Sequence, residues 1–137
     1  MNAVSFYYQT PPTELVTMSH NKELAEYCAD VCAAVGGVTF ADICGPRRLG
    51  HITDARAVLM CVLHHEFGLT WVESAGFFGR THATAINAAR KVRSLVGLAV
   101  PDWKVSNLLT IAENVYKTRT GRPFTTLNTW HTPKKSV

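Results

Sequence analysis

Apolar residues recur along this chain at intervals of three and four, and that spacing predicts one helix after another. Over residues 13 to 35, Leu24, Ala25, Cys28, Val31, Cys32 and Val35 share one side of a helix, and the glycines at 36 and 37 stop it. The stretch TFADICG reads as a short helical turn, opened by Thr39 and closed by Gly45. Pro46, Arg47, Arg48, Leu49 and Gly50 then break regular structure and leave two guanidiniums on a loop. Beyond them Thr53 is positioned to cap a helix whose stripe is Ala55, Val58, Leu59, Val62 and Leu63, with Gly68 as its end.

The pattern sharpens in the middle of the chain. Thr70 and Glu73 have the T-x-x-E spacing of a capping box, and the helix they start runs only to Gly79. Thr81 then caps a longer helix in which Ala85, Ile86, Ala89 and Val92 form the apolar stripe, while Thr84, Asn87 and Lys91 lie on the other side. A short helix, a glycine turn and a second helix with one polar, basic face make a helix-turn-helix candidate. A last amphipathic helix is expected from Trp103 to Lys117, with Val105, Leu108, Leu109, Ala112 and Val115 inward. Beyond it periodicity fades. No internal repeat and no strand pair is evident, so the expected fold is all-α.

Length limits this to one domain, since 137 residues at 47% hydrophobic content supply one core and not two. Charge changes the picture more than composition does. Before Arg47 there is one base, Lys22, against five acids, and from Arg47 onward there are thirteen bases against five acids. A basic second half sets up a positive field that attracts polyanions. The opening residues lack a basic segment followed by an apolar run, and no eighteen apolar residues occur in succession. Neither secretion nor membrane spanning is therefore expected, and the anticipated location is cytoplasmic.

Candidate chemistry is sparse. Cys28, Cys32, Cys44 and Cys61 lack the paired spacing of a zinc site and read as buried thiols. His64 and His65 are adjacent, so on a helix they point apart and do not readily share an ion; no metal is assigned. Trp71, Phe77, Phe78 and Trp103 read as core residues, with no cofactor implied. The second half has Asp54, Glu66, Glu73, Asp102 and Glu113 as its carboxylates, without a convergent acid, base or nucleophile set, so no enzymatic activity is expected.

The stretch ITDARAVLMCVLHHEFGLTWVESAGFFGRTHATAINAARKV resembles the C-terminal DNA-binding domain of the bacterial replication initiator DnaA. That family has an A-R-x-x-x-M helix start, an S-L-x-E-I-G helix, and the signature F-G-G-R-D-H-T-T-V followed by a helix ending in a basic pair. Ala55, Arg56 and Met60 fit the first element, Thr70 and Glu73 the second, and Gly79, Arg80, His82, Thr84, Ala88 and Lys91 the third. The similarity covers residues 25 to 95. Thr81 replaces the signature aspartate, Ala83 replaces the first threonine, and the double glycine is replaced by Phe78-Gly79 or by a one-residue deletion, so the family's own target sequence is not carried over. The resemblance implies a helix-turn-helix domain of the DnaA C-terminal or Trp-repressor-like type that binds duplex DNA. A G-x-x-x-x-G-K-[ST] loop does not occur, so no nucleotide and no ATPase activity is expected.

The expected organisation is an N-terminal extension over 1–20, a helical DNA-binding domain over 21–117 with its helix-turn-helix at about 70–95, and a mobile basic tail over 118–137. Arg80, Arg90, Lys91 and Arg93 surround the candidate recognition helix and suit phosphates. His82, Thr84 and Asn87 offer hydrogen-bonding groups, and Ala83 and the Thr84 methyl offer apolar contacts for thymine methyls. By resemblance, Arg47 or Arg48 enters the adjacent minor groove. Arg56 and Thr70, on matched motif positions, and Thr81, at the place of the signature aspartate, complete the expected DNA-contacting set. The role within the cell stays open among a transcriptional regulator, a replication accessory and a competitor for initiator sites, as does homodimerisation. The rival reading is a protein-interaction adaptor of initiator-like fold, whose acidic N-terminal helix pairs with a partner or with itself.

Overall fold

A computed structural model describes residues 11–46, 49–97 and 102–127, with side chains from residue 21 onward. These residues form six helices: α1 (Pro11–Val35), α2 (Phe40–Cys44), α3 (Gly50–His65), α4 (Trp71–Phe77), α5 (His82–Val96) and α6 (Trp103–Thr120). No strand occurs among them. None of these helices is long and apolar enough to cross a membrane.

The helix α3 is the hub, since it packs against each of the other five. Ten of its sixteen residues are buried, which leaves it apolar nearly all round and not striped as its spacing suggested. It also begins earlier than expected, at Gly50: the carbonyl of Leu49 accepts from the N–H groups of Ile52 and Thr53 at 3.0 and 2.9 Å, so backbone closes the first turn and Thr53 lies inside the helix.

Two short helices form where their caps dictate. In α2 the Thr39 hydroxyl accepts from the Asp42 N–H at 3.1 Å while the Asp42 carboxylate accepts from the Thr39 N–H at 3.0 Å. Thr70 and Glu73 repeat the exchange at α4, at 3.0 and 2.9 Å. This helix stops in a Schellman turn. Gly79 takes φ of +72°, the Arg80 N–H donates to Ala75 O at 2.9 Å, and the Gly79 N–H donates to Gly76 O at 3.0 Å. The Ser74 hydroxyl, fully buried, donates to Met60 O at 2.7 Å and ties α4 to the hub.

The first and last helices pack against each other. Tyr27 of α1, which the apolar spacing had passed over, is buried and donates its hydroxyl to Ala112 O of α6 at 2.8 Å. Burial raises its phenol pKa well above the ordinary range. At the surface of the same pair, Arg119 reaches Asp30 at 2.9 Å and Glu26 at 3.7 Å.

Three expectations are corrected here. Residues 11–20 belong to α1, not to a separate extension. Residues 118–120 finish α6, and 121–127 fold back onto the core instead of forming a mobile tail. Phe124 and Leu127 are buried there, and two carboxylates hold the backbone: Glu113 accepts from the Phe124 N–H at 3.0 Å, and Glu66 accepts from the N–H groups of Thr125 and Leu127 at 3.0 and 2.8 Å. Residues 128–137 lie outside the described residues. Finally, Trp103 is 72% exposed at the first position of α6 and is not a core residue, because the inward side of that helix is taken by Val105, Leu108, Leu109, Ala112 and Tyr116.

Candidate nucleic-acid interface

The sequence of α5 explains which side faces out. Ala85, Ala89, Val92 and Val96 recur at helical spacing and are buried against α3 and α4. The opposite side therefore carries Ala83, Asn87, Arg90 and Ser94 in one row, with Thr84 and Lys91 in the row beside it, and all six are exposed. His82 is exposed at the first helical position. Arg93 is exposed as well, and α5 contains no carboxylate.

Helix α4 supports this surface from behind, and the two helices are joined by the Gly79 turn. Thr81 acts as the cap of α5: its hydroxyl accepts from the Thr84 N–H at 3.4 Å and lies 3.2 Å from the Thr84 hydroxyl. Thr70, likewise exposed, caps α4 by accepting from the Glu73 N–H. Lys91 lies 3.5 Å from the Asp54 carboxylate of α3, a long and exposed pair that leaves the ammonium easily redirected.

Two arginines of the expected contact set do other work. Arg56 is 5% exposed and does not reach the surface. Its Nε donates to Ile43 O at 2.6 Å, and its Nη2 donates to Asp42 O at 3.2 Å and Gly45 O at 3.3 Å. This corrects its assignment as a DNA contact, for a helix end leaves carbonyls short of backbone donors and here a buried guanidinium supplies donors to them. Arg80, half-buried, donates from Nη1 to Phe78 O at 2.8 Å and Cys44 O at 3.4 Å, and from Nη2 to Gly45 O at 2.6 Å. Between them the half-buried Cys44 thiol has its pKa raised by burial, with the two guanidiniums opposing. Arg47 and Arg48, expected at the minor groove, lie outside the described residues.

The histidine pair belongs to an aromatic cluster behind the interface. His64 stacks on Trp71, His65 meets the same indole edge-on, and the two imidazoles are 4.7 Å apart. His64 Nδ1 lies 2.7 Å from Leu69 O, within hydrogen-bond distance. Burial lowers the His65 pKa, and repulsion from His64 and Arg93 adds to it against an opposing pull from Glu66. No group of three or more histidines, cysteines or carboxylates placed to hold a metal ion occurs among the described residues.

No protein family, curated protein or solved structure matches the chain. The functional reading therefore rests on residues and geometry. Of the expected contacts, the fold collects Thr70, Thr81, His82, Ala83, Thr84, Asn87, Arg90 and Lys91 as exposed residues of the α4–α5 unit, and takes Arg56 inside. The capping role of Thr81 was visible in the spacing, whereas the carbonyl-clamping role of Arg80 was not. The signal for Arg80 was faint but present, in that it follows directly on the glycine that ends α4, where a side chain turns back toward the core.

Proposed function

We propose that this protein binds duplex DNA in a sequence-dependent way through α5, resembles the C-terminal reading domain of the bacterial initiator DnaA, and performs no chemistry of its own. The carrying observation is the outward side of α5, where Ala83, Thr84, Asn87, Arg90 and Lys91 form two exposed rows on a helix free of carboxylates. An α-helix of this kind fits the major groove, with cations at the phosphates and small polar groups at base edges. The N-terminal end of α5 adds the positive end of its dipole to the same surface.

Against the adaptor reading stands one contact: Glu26 and Asp30 of the acidic first helix pair with Arg119 of the same chain, though at the surface, where a partner could displace it. Fluorescence anisotropy with labelled duplex, titrated with salt, tests the proposal, and selection from a random DNA pool supplies the sequence. Affinity should fall steeply as salt rises, and the selected duplex should bind more tightly than a random one. A chain that binds no duplex even at low salt sinks the reading. Sedimentation of the complex on one and two half-sites decides whether it reads DNA as a homodimer.

A further inference from the structure

Arg80 stands next to the cap of the proposed recognition helix, yet its guanidinium points back. We infer that Arg80 is a positioning residue of the DNA surface, holding the start of α5 against the end of α2, and is not a phosphate contact. This deepens the proposed function and rests on it for its DNA arm.

The geometry is a shared clamp. A helix leaves its last four carbonyls without partners, and in five-residue α2 those are nearly all it has. The carbonyls of Asp42, Ile43, Cys44 and the cap residue Gly45 accept from two guanidiniums, Arg56 reaching across from α3 and Arg80 from the turn between α4 and α5, and Asp42 O also takes the Gly45 N–H at 3.2 Å. Gly45 O accepts from both. Arg80 also donates to Phe78 O, the last residue before the Gly79 turn, so the fork is fixed at both ends. The positive charge of the fork suits the negative end of α2, and its planar spread of donors matches carbonyls on two segments at once.

Lysine keeps the charge and loses the fork, so Arg80→Lys separates the two roles. A phosphate contact tolerates lysine, whereas a clamp of three carbonyls does not. In Arg80→Lys and Arg80→Ala alike, affinity for the selected duplex should drop about tenfold or more, while random duplex is affected much less and the salt slope stays at the wild-type value. Retained affinity in Arg80→Lys, together with a slope reduced by about 0.9 in Arg80→Ala, overturns the inference in favour of a phosphate contact. Equal loss on selected and random duplex overturns it in favour of a general structural role.

Amide hydrogen exchange gives a readout that needs no DNA. In Arg80→Lys the amides of Ala85 and Ile86 in the first turn of α5 should exchange faster than in the wild type, with the α3 amides unchanged. Unchanged exchange at α5 overturns the positioning role whether or not the wild-type chain binds duplex. Absence of duplex binding by the wild type, with faster α5 exchange in the variant, instead removes the DNA function and leaves the clamp.

Discussion

The imidazole of His64 lies flat on the indole of Trp71, ring centres 3.6 Å apart and planes 13° from parallel. This stack joins the end of α3 to the first residue of α4, beside the chain reversal at Gly68, where φ is +81°. It fixes α4 onto the hub. His64→Ala and Trp71→Ala should each lower stability, and a double-mutant cycle by urea unfolding should give a coupling of about 0.5–1.5 kcal/mol. Strictly additive losses would show that the two rings are merely neighbours.

His65 makes stability depend on pH. Its folded pKa lies below the ordinary value, so as pH falls through about 6.5 the unfolded chain takes up a proton that the folded one resists. Stability contributed by neutral His65 is therefore full above the unfolded value, declines below it, and levels off once the folded imidazole protonates. Urea midpoints followed from about pH 8 to about pH 5 should fall less in His65→Gln than in the wild type. Parallel declines would assign the effect to other groups.

The segment after α6 should behave as core. Phe124 is buried against Tyr116, ring centres 5.1 Å apart, and Phe124→Ala should cost about 3–5 kcal/mol by denaturant unfolding. A loss under about 0.5 kcal/mol, the range of an ordinary surface change, would return this stretch to the status of a tail.

Asp54 is the carboxylate paired with the interface lysine. Removing its charge should free Lys91 and deepen the positive field, so Asp54→Asn should tighten random-duplex binding at low salt by about two- to fivefold, the scale of an exposed ion pair. Anisotropy titrations in which Asp54→Asn binds no better would place Lys91 away from the phosphates.

Base preference should reside in the exposed polar groups of α5. His82→Ala and Asn87→Ala should each reduce discrimination between the selected and a random duplex by about 1–3 kcal/mol, with little change in salt slope. Equal loss on both duplexes would show that neither side chain reads bases.

Much of this fold was legible because its signals are local. The caps Thr39, Thr70 and Thr81, and the glycines that stop helices, act over three or four residues, so α2, α4 and α5 could be placed closely from spacing alone. The outward position of Thr84, Asn87 and Lys91 followed from the same periodicity. What stayed hidden depends on partners far along the chain. Glu66 meets Thr125 and Leu127 about sixty positions away, and nothing near either end signals it. Arg80 meets Gly45 from a distance of 35 residues, so a charge suited to phosphate and a charge suited to a helix end look alike in sequence. Burial of Arg56 was equally unreadable, since long cationic side chains are ordinarily solvated.

The hub position of α3 bears on how portable the α4–α5 unit is. Because α4 and α5 each rest on α3, and α3 in turn is enclosed by α1, α2 and α6, a peptide excised around the helix-turn-helix would forfeit its scaffold and collapse into an unstructured strand. Grafting this unit onto another protein means transplanting the buried axle with it, whereas the outer rows of α5 can be changed without touching that axle.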